Sequence, residues 1–408
     1  MSPKPAHCNH VIISDEELES GATTLEHVQA GVEEFYKNGI VIVENAIPHE
    51  IIDIFFEKMN TDGAKKLEDP DLVFNRGNEK TNLSIYPPLS KEWLVEDIWA
   101  NKHAAAVMEA IIGLPQLVYA GSNINLPTQD AAARQAVHVD SYADHHKFPT
   151  CIEVFMYLHD VSPANGSMEI WPGSHEGWNF KDLVNNGRGW VKTSAFIRRA
   201  ERSPPFQPTI PKGSIAIRDL RLWHSGMPNL SDQNCITIGF LYFPRWFRSH
   251  MRITLPAVPR RIVEKWTQID ALGAANFVDG KLDHLDPNLS TLAPLNFTQD
   301  PEKSNQQIRE KADLARGKEP NSEPHVTTKD YWTPGTHKFS DRVTKDEATK
   351  GNRKPHMKGK GKHNPLKPQG EEAEKDDPLK PKSEGVKKRT RNPRKKLTKQ
   401  THDVQSEG

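Results

Sequence analysis

The sequence lacks the features that would place the protein in a membrane or outside the cell. It has only three cysteines in 408 residues, Cys8, Cys151 and Cys235, which are too few and too far apart for a disulfide framework or a Cys-x-x-Cys zinc site. Its N-terminus has no apolar signal-peptide core, and no run of about eighteen apolar residues occurs. We therefore expect a soluble protein of the cytoplasm, with the nucleus as the alternative.

Net charge is also absent, because 54 Lys and Arg residues balance 54 Asp and Glu residues. The chain therefore has no overall field that would attract nucleic acid or an anionic membrane. The balance hides one basic segment, "VKKRTRNPRKKLTK" from Val386 to Lys399, which is typical of a nuclear localisation signal or a salt-sensitive nucleic-acid patch. This segment has no aromatic residue for base stacking. We expect no membrane partner, and at most weak nucleic-acid binding through this tail.

Large apolar residues are scarce at the C-terminal end, where Lys, Pro and Glu dominate from about residue 335. Such a segment cannot bury enough surface to offset its ordering entropy, so we predict a disordered basic tail over 335–408. The remaining length is enough for one domain with a substantial core. We expect an N-terminal extension over 1–24, one folded domain over 25–300 and a further extension over 301–334.

The folded part changes character along its length. Apolar residues at helical spacing predict helices at Leu25–Lys37, in "PHEIIDIFFEKM" and between Lys91 and Ile112, while "NGIVIVENAI" predicts a turn followed by a strand. After residue 116 short β-like segments follow one another, separated by Pro, Gly, Asn and Asp. They are "LVYAGSNINL", "AVHVDSY", "CIEVFMYLHDV", "GSMEIWPG", "GSIAIRDLRLW" and "CITIGFLYF". The pattern predicts a β-rich α+β domain, a sandwich or barrel fronted by helices.

Potential metal ligands are concentrated in "RQAVHVDSYADHH", from Arg134 to His146. On a regular strand His138 and Asp140 would share one face, because side chains two apart point the same way. A further histidine, His224, follows much later in "RDLRLWHSGMPN". Two imidazoles and one carboxylate form a facial triad that suits non-haem Fe(II), whereas zinc more often recruits a third His or a Cys. A His-x-Asp pair alone is weak evidence in a chain with 18 histidines.

The surrounding motifs strengthen this interpretation. "NGSMEIWPGSH", from Asn165 to His175, lies between the two arms of the triad, and "WHSGMPNLS" surrounds His224. In this order the motifs resemble the phytanoyl-CoA dioxygenase family, especially its fungal branch, and "GIVIVENAI" resembles the family's N-terminal opening. The resemblance covers about Glu26 to Arg248 and leaves the tail outside.

The resemblance implies a double-stranded β-helix, or jelly-roll, core that binds Fe(II) and uses 2-oxoglutarate as cosubstrate. His138, Asp140 and His224 match the family's iron ligands, and Gln135 matches a glutamine that contacts the cosubstrate in several relatives. Such an enzyme would hydroxylate, desaturate or rearrange a small organic substrate with dioxygen. We therefore expect a non-haem iron dioxygenase, with a specialised metabolite as its substrate.

The chain departs from the family pattern at the cosubstrate. Relatives place an Arg about eleven residues after the distal His, where it pairs with the far carboxylate of 2-oxoglutarate, but this chain has Cys235 there. Met168 also replaces a small hydroxyl residue found in many relatives. Either another cation supplies the charge or cosubstrate binding is weakened. Arg218 and Arg221 are the nearest candidates, and Arg218 is preferred if the strand to His224 is regular.

Other reactive residues have ordinary structural explanations. His145 and His146 are adjacent and would face opposite ways on a strand, so we expect a solvent-exposed loop pair, and His175 is expected in a turn. Cys235 is expected to be a buried small hydrophobe. Core packing is the default for each tryptophan, although we expect one or two of four to line the substrate pocket. These four are Trp171, Trp190, Trp223 and Trp246.

Three functions remain open on the sequence. The triad favours an oxygenase acting on a small molecule. The missing Arg keeps open a catalytically altered or inactive relative that serves as a binding protein. The basic tail allows a nuclear, nucleic-acid-directed hydroxylase, although the body of the chain shows no basic channel for it.

Overall fold

The computed structural model describes residues 7–289, apart from 71, 73, 75–80, 132, 141–146, 178, 185–188, 287 and 288. The predicted disordered tail and the pair His145 and His146 lie outside the described residues. Within the described part of the chain, no helix has the length and apolarity that a membrane crossing requires.

Helices dominate the N-terminal part, as predicted. A strand β1 (His10–Ile12) and a short helix α1 (Asp15–Ser20) precede α2 (Leu25–Asn38), β2 (Ile40–Glu44) and α3 (His49–Leu67). Helix α2 ends at Gly39, whose φ of +81° is a left-handed conformation that glycine adopts without strain, and the chain reverses directly into β2. After β3 (Asn82–Ile85) come α4 (Glu96–Trp99) and α5 (Lys102–Ile112).

The amphipathic stretch from Lys91 to Ile112 is not one helix. A short 3₁₀ turn and α4 precede a break at Ala100, and α5 begins only after Asn101. The side chain of Asn101 accepts hydrogen bonds from the backbone N–H groups of His103 and Ala104, both at 3.0 Å, so it caps a new helix. Periodicity alone does not reveal such an internal cap.

The β-rich part follows with β4 (Pro115–Asn125), β5 (Ile152–Tyr157), β6 (Glu169–Ile170), α6 (Thr193–Ala200), β7 (Ile215–Asp219), β8 (His224–Ser225), β9 (Cys235–Pro244), β10 (Ile253–Pro256), α7 (Arg260–Val263) and β11 (Ala275–Val278). Seven strands form one sheet in the order β1-β2-β7-β5-β9-β4-β3, and smaller ladders pair β6 with β8 and β10 with β11. All neighbours in the large sheet are antiparallel except β1 and β2.

The two faces of the large sheet pack against different layers. On one face, core residues of β2, β5, β7 and β9 share a hydrophobic cluster with α2, α3 and α5. On the other face, Ile170 of β6 packs with Phe155, Ala216 and Cys235 of the large sheet. Helix α6 covers the face of the β6–β8 ladder opposite Ile170, where Phe196 packs with Trp171 and Trp223. The predicted β-rich α+β architecture with a double-stranded β-helix core and flanking N-terminal helices is confirmed.

Two predicted strands are shorter than expected. Within its described residues, "AVHVDSY" forms only isolated bridges, from His138 to His224 and to Trp190, and it is not a strand of the large sheet. The strand predicted to run into His224 ends at Asp219. There the backbone turns, with Leu222 N donating to Asp219 O at 3.0 Å. The parity argument that linked Arg218 to His224 is therefore wrong, since the two residues lie in different sheets.

Candidate metal centre

His138 and His224 face each other across one short backbone ladder. The N–H of His138 donates to the carbonyl oxygen of His224 at 2.9 Å, and the N–H of His224 donates to that of His138 at 3.0 Å. A second bridge joins His138 to Trp190. The two histidines are 86 positions apart in the chain, and this reciprocal pair of bonds brings their ring centroids to 4.2 Å.

Backbone carbonyls orient both imidazole rings. Nδ1 of His138 lies 2.8 Å from the carbonyl oxygen of Ala136, and Nδ1 of His224 lies 3.1 Å from that of Leu222. In the tautomer that carries its proton on Nδ1, each ring donates to this carbonyl and presents the lone pair of Nε2. Metal-binding histidines use the same arrangement, in which the second ring nitrogen is fixed by a hydrogen bond.

Asp140 completes a group of three potential ligands. Its Oδ1 lies 3.6 Å from Nε2 of His138, and its Oδ2 lies 3.2 Å from Nε2 of His224. One ligand atom from each residue lies within 4.8 Å of the other two, and this is the one such His, Cys, Asp and Glu group in the described part of the chain. Two ligands bound at right angles, each ~2.1 Å from an ion, would lie about 3.0 Å apart. The donor set and spacing fit Fe(II).

The triad is enclosed by charge. His138 and His224 are buried, and Asp140 is partly buried. Burial alone would raise the pKa of Asp140, but the neighbouring His224, Arg218 and His138 together hold that pKa well below its usual range. The carboxylate is therefore ionised at neutral pH, which is the form that binds a metal ion.

Arg218 of β7 extends from the large sheet to the triad. Its side chain is buried, with Nη2 donating to Oδ2 of Asp140 at 2.7 Å and Nη1 lying 2.6 Å from Nδ1 and 3.1 Å from Nε2 of His224. Nε donates to Oε2 of Glu153 at 2.9 Å, and Nη2 contacts the same oxygen. These two carboxylates raise the pKa of Arg218 despite the opposing effect of burial, so its charge is permanent.

The match to a protein family agrees with this site. Residues 35–235 match the family model described as phytanoyl-CoA dioxygenase (PhyH), a range that contains all three members of the triad. Residues 35–235 form a PhyH-family domain. The predicted family and the predicted class of enzyme, a non-haem iron dioxygenase that depends on 2-oxoglutarate, are confirmed, and the triad fits the iron of that class.

Several solved structures are similar to about half of this chain. The non-heme alpha-ketoglutarate-dependent epimerase SnoN from nogalamycin biosynthesis is 16% identical, with a TM-score of 0.40 over 54% of this chain and 82% of SnoN. EctD from S. alaskensis, solved with 2-oxoglutarate and 5-hydroxyectoine, is 16% identical, with a TM-score of 0.40 over 55% of this chain and 78% of EctD. AviO1 from Streptomyces viridochromogenes Tue57 is 20% identical, with a TM-score of 0.40 over 55% of this chain and 97% of AviO1. Similarity at this level says nothing about the substrate of this chain.

The two other predicted cosubstrate residues of the PhyH domain occupy different positions. Oε1 of Gln135 accepts from the N–H of Gly226 at 3.2 Å, next to the ladder that carries His224. Arg221 lies against Asp219, with Nε at 2.9 Å from Oδ1 and Nη2 at 2.5 Å from Oδ2. Arg218 is the better candidate for a cosubstrate cation because it contacts two members of the triad, Asp140 and His224.

The position of the missing family Arg is apolar. Cys235 is buried in a cluster with Phe155, Tyr157 and Ile170, and Met168 packs against the same cluster. Burial raises the pKa of the Cys235 thiol to about 12, so it stays protonated and uncharged at neutral pH. The prediction of a buried small hydrophobe at position 235 is confirmed. This part of the PhyH core presents apolar side chains, the hydroxyl of Tyr157 and a neutral thiol, instead of the guanidinium that the family resemblance implies there.

The remaining candidates divide between structure and surface. His175 has a structural role, as predicted, because its Nε2 lies 2.9 Å from the carbonyl oxygen of Tyr36 and its ring packs against Gly39. Trp171 and Trp223 are buried on the side of the ladder covered by α6, and Trp246 is 60% exposed. Trp190 is half-buried and forms a backbone bridge with His138.

Glu153 is the site residue that sequence reasoning missed. It lies on β5 directly opposite Arg218 of β7, and both side chains point to the layer that holds the triad. One signal was present, since a lone acidic residue interrupts the apolar strand "CIEVFMY" and a charge on such a strand requires a partner. The identity of that partner depended on the register between β5 and β7.

Proposed function

We propose that this PhyH domain oxidises a small organic molecule, with His138, Asp140 and His224 holding Fe(II) and 2-oxoglutarate serving as cosubstrate. The observation that supports this assignment is the convergence of two Nε2 atoms and one ionised carboxylate, which leaves room for exchangeable ligands. Iron with 2-oxoglutarate and dioxygen supplies an oxidant strong enough to break a C–H bond, so hydroxylation, desaturation and rearrangement are all within its reach.

The residues of the chain contribute orientation and charge. The carbonyl groups of Ala136 and Leu222 orient the rings of His138 and His224, whose Nε2 atoms lie 3.6 Å and 3.2 Å from the carboxylate oxygens of Asp140. Once Nδ1 of His224 carries a proton and Nε2 binds a metal, that ring has no acceptor left for Nη1 of Arg218. We propose that Nη1 then donates to a carboxylate of 2-oxoglutarate, with Gln135 as a further contact. Arg221 remains the second candidate for the same role.

A comparison of 2-oxoglutarate with 2-oxobutyrate can show which carboxylate of the cosubstrate Arg218 contacts. Arg218 lies beside the metal-binding atoms, whereas Cys235 marks the place where relatives bind the far carboxylate. We expect Arg218→Met to weaken cosubstrate binding by at least ten-fold, because removing one partner of a charge-assisted pair costs about 2 to 5 kcal/mol. If Arg218 meets the far carboxylate, the variant should lose the preference for 2-oxoglutarate over 2-oxobutyrate. If it meets the near end, both oxo acids should weaken equally.

The test of the proposed function is an anaerobic titration of the full chain with Fe(II), followed by 2-oxoglutarate, watched for the visible charge-transfer band of the chelate. We expect a one-to-one endpoint that disappears in His138→Ala. The exposed Arg198 pairs with Asp182 on the surface, so Arg198→Met is the matched control for Arg218→Met and should leave the titration unchanged. Absence of Fe(II) binding in the unchanged protein would refute the proposal.

A second function, a catalytically altered relative, is favoured by one observation. The apolar cluster around Cys235 offers no charge to a buried carboxylate, and an unpaired charge there costs several kcal/mol. Cys235→Arg tests it. If this change creates 2-oxoglutarate-dependent turnover where the natural chain has none, the natural chain is an altered member. If neither Arg218→Met nor Arg221→Met affects turnover, neither Arg replaces the missing one. The nucleic-acid-directed alternative depends on Val386–Lys399, outside the described residues.

A further inference from the structure

The carboxylate of Asp140 is tied to the large sheet through an ionic chain. Arg218 bridges two acids, with Nη2 at 2.7 Å from Oδ2 of Asp140 and Nε at 2.9 Å from Oε2 of Glu153. Glu153 and Arg218 are direct cross-strand partners on β5 and β7. The guanidinium is buried, while Glu153 and Asp140 keep 22% and 17% of their side chains exposed. The position of Asp140 therefore depends on two central strands as well as on its own loop.

The contacts divide the two oxygens of Asp140. Oδ2 accepts the N–H of Arg218 at 2.7 Å and lies 3.2 Å from Nε2 of His224, whereas Oδ1 lies 3.6 Å from Nε2 of His138. A carboxylate that binds a metal through both oxygens directs a lone pair of each at the ion, and for Oδ2 this competes with the buried, charge-assisted hydrogen bond from Arg218. The bond to Arg218 thus favours attachment of Asp140 through one oxygen.

The number of Asp140 oxygens that bind the ion determines how many coordination positions stay open for other ligands. A six-coordinate ion held by two Nε2 atoms and one oxygen keeps three open positions, whereas a second carboxylate oxygen would leave two. A bidentate oxo acid takes two positions, so the difference decides whether one remains for a further ligand. This step depends on the proposed function, in which the ion works with such a cosubstrate.

Arg218 places a positive charge beside the metal-binding atoms, and the carboxylate of Glu153 pairs with that charge. A guanidinium within about 3 Å of a metal-binding nitrogen repels a divalent cation, and in a poorly solvated site this repulsion is strong. Glu153 offsets that charge and holds Nε and Nη2, so the guanidinium stays on Oδ2 of Asp140. We propose that Arg218 and Glu153 are positioning residues: Arg218 restricts Asp140 to one metal-binding oxygen, and Glu153 holds Arg218 in place while lowering the repulsion of the metal.

The test uses Mn(II) alone, without cosubstrate, on the full chain. Electron paramagnetic resonance in ¹⁷O-enriched water counts the exchangeable waters on the ion. We expect Arg218→Met to bind Mn(II) at least as tightly as the unchanged protein and to hold one water fewer, because Asp140 turns both oxygens to the ion. Arg218→Lys should restore part of the lost signal, since an ammonium can still donate to Oδ2. Glu153→Gln should keep the water count and bind Mn(II) about ten-fold more weakly, because the guanidinium charge is no longer offset.

Two double variants distinguish the proposed positioning role from a general loss of stability. Glu153→Gln with Arg218→Met removes the pair without leaving a lone buried charge, and it should lose one water even if Arg218→Met alone fails to fold. Arg134 and Glu169 form another buried Arg and Glu pair, 2.5 Å apart, on the side of the ladder covered by α6. The matched control, Glu169→Gln with Arg134→Met, should lower the melting temperature and leave the water count unchanged.

The outcomes separate this inference from the proposed function. If His138→Ala leaves Mn(II) binding unchanged, the triad is not the metal site and both proposals fail. If Mn(II) binds at the triad but the Glu153 and Arg218 double variant keeps the full water count, only the positioning proposal fails. A lower melting temperature with an unchanged water count would assign the pair a purely structural role.

Discussion

Two acidic residues, Glu17 and Asp140, have lowered pKa values, but different kinds of neighbouring group lower them. Both are desolvated, which alone would raise the pKa, but around Glu17 the opposing donors are mainly the backbone N–H groups of Thr24 and Ser14, which lower its pKa to about 2. Around Asp140 the opposing groups are the side chains of His224, Arg218 and His138.

The difference separates a carboxylate at a helix end from one in a candidate metal centre. Glu17 belongs to a capping box with Ser14 and also accepts from the backbone N–H of Thr24 and contacts the imidazole of His27, so its partners lie where helices α1 and α2 begin. The partners of Asp140 are two imidazoles, whose Nε2 lone pairs can bind a metal ion, and the guanidinium of Arg218, which donates to Oδ2. The lowered pKa of Asp140 marks a candidate metal site because two of the groups that lower it, His138 and His224, are potential ligands of the same ion.

The largest effect on metal binding is expected from a change at Asp140. Asp140→Asn should weaken binding of Fe(II) or Co(II) by at least one hundred-fold, because the amide oxygen carries no charge for the ion. Isothermal titration calorimetry under anaerobic conditions measures it.

The matched control for Asp140→Asn is another buried acid in an ionic cluster. Asp62 of α3 contacts Nζ of Lys58 at 2.5 Å and Nε2 of His284 at 2.7 Å. Asp62→Asn should lower the free energy of unfolding and keep the metal affinity. Equal metal affinities for Asp140→Asn and the unchanged protein would contradict the assignment of Asp140.

A smaller effect, on stability alone, is expected at Glu17. Since folding lowers its pKa from about 4.5 to about 2, its ionised form stabilises the fold above pH 4.5, and this stabilisation is lost as the pH falls towards 2. Glu17→Gln should lower the free energy of unfolding by about 1 to 3 kcal/mol at pH 7.

Denaturant unfolding at several pH values tests this linkage. The stability gap between the unchanged protein and Glu17→Gln should narrow below pH 4.5, while metal affinity stays unchanged. The exposed Glu19, on the same helix, provides the control Glu19→Gln, for which we expect no gap at any pH. A constant gap from pH 7 to pH 2.5 would show that the ionised carboxylate contributes nothing.

The smallest effect is expected from the C-terminal tail. A chain that ends at Pro334 should keep its melting temperature and its metal affinity, because the removed segment has almost no large apolar residues to bury. Differential scanning calorimetry and metal titration of the two chains check this. A fall of several degrees in the shortened chain would show that the tail contributes to the fold.

Local signals predicted part of this molecule well. Helix α2 and strand β2 were predicted because periodicity and the Asn38-Gly39 turn act over a few residues. The triad was predicted because His138 and Asp140 are close in sequence and His224 lies in a family motif. The partnership of Arg218 with Glu153, and the turn after Asp219, depend on packing between strands 65 positions apart in the chain. Sequence patterning carries no direct record of that register.

The reciprocal backbone bonds between His138 and His224 have a consequence for motion. Each histidine is held on the ladder by the other, so a fluctuation that releases one amide hydrogen to solvent releases both. A metal bound to both rings would oppose that opening by its full binding free energy. The amide hydrogens of His138 and His224 should thus exchange with solvent slowly and together. An ion at the triad would link the loop before Asp140 to the turn after Asp219 and slow this exchange further.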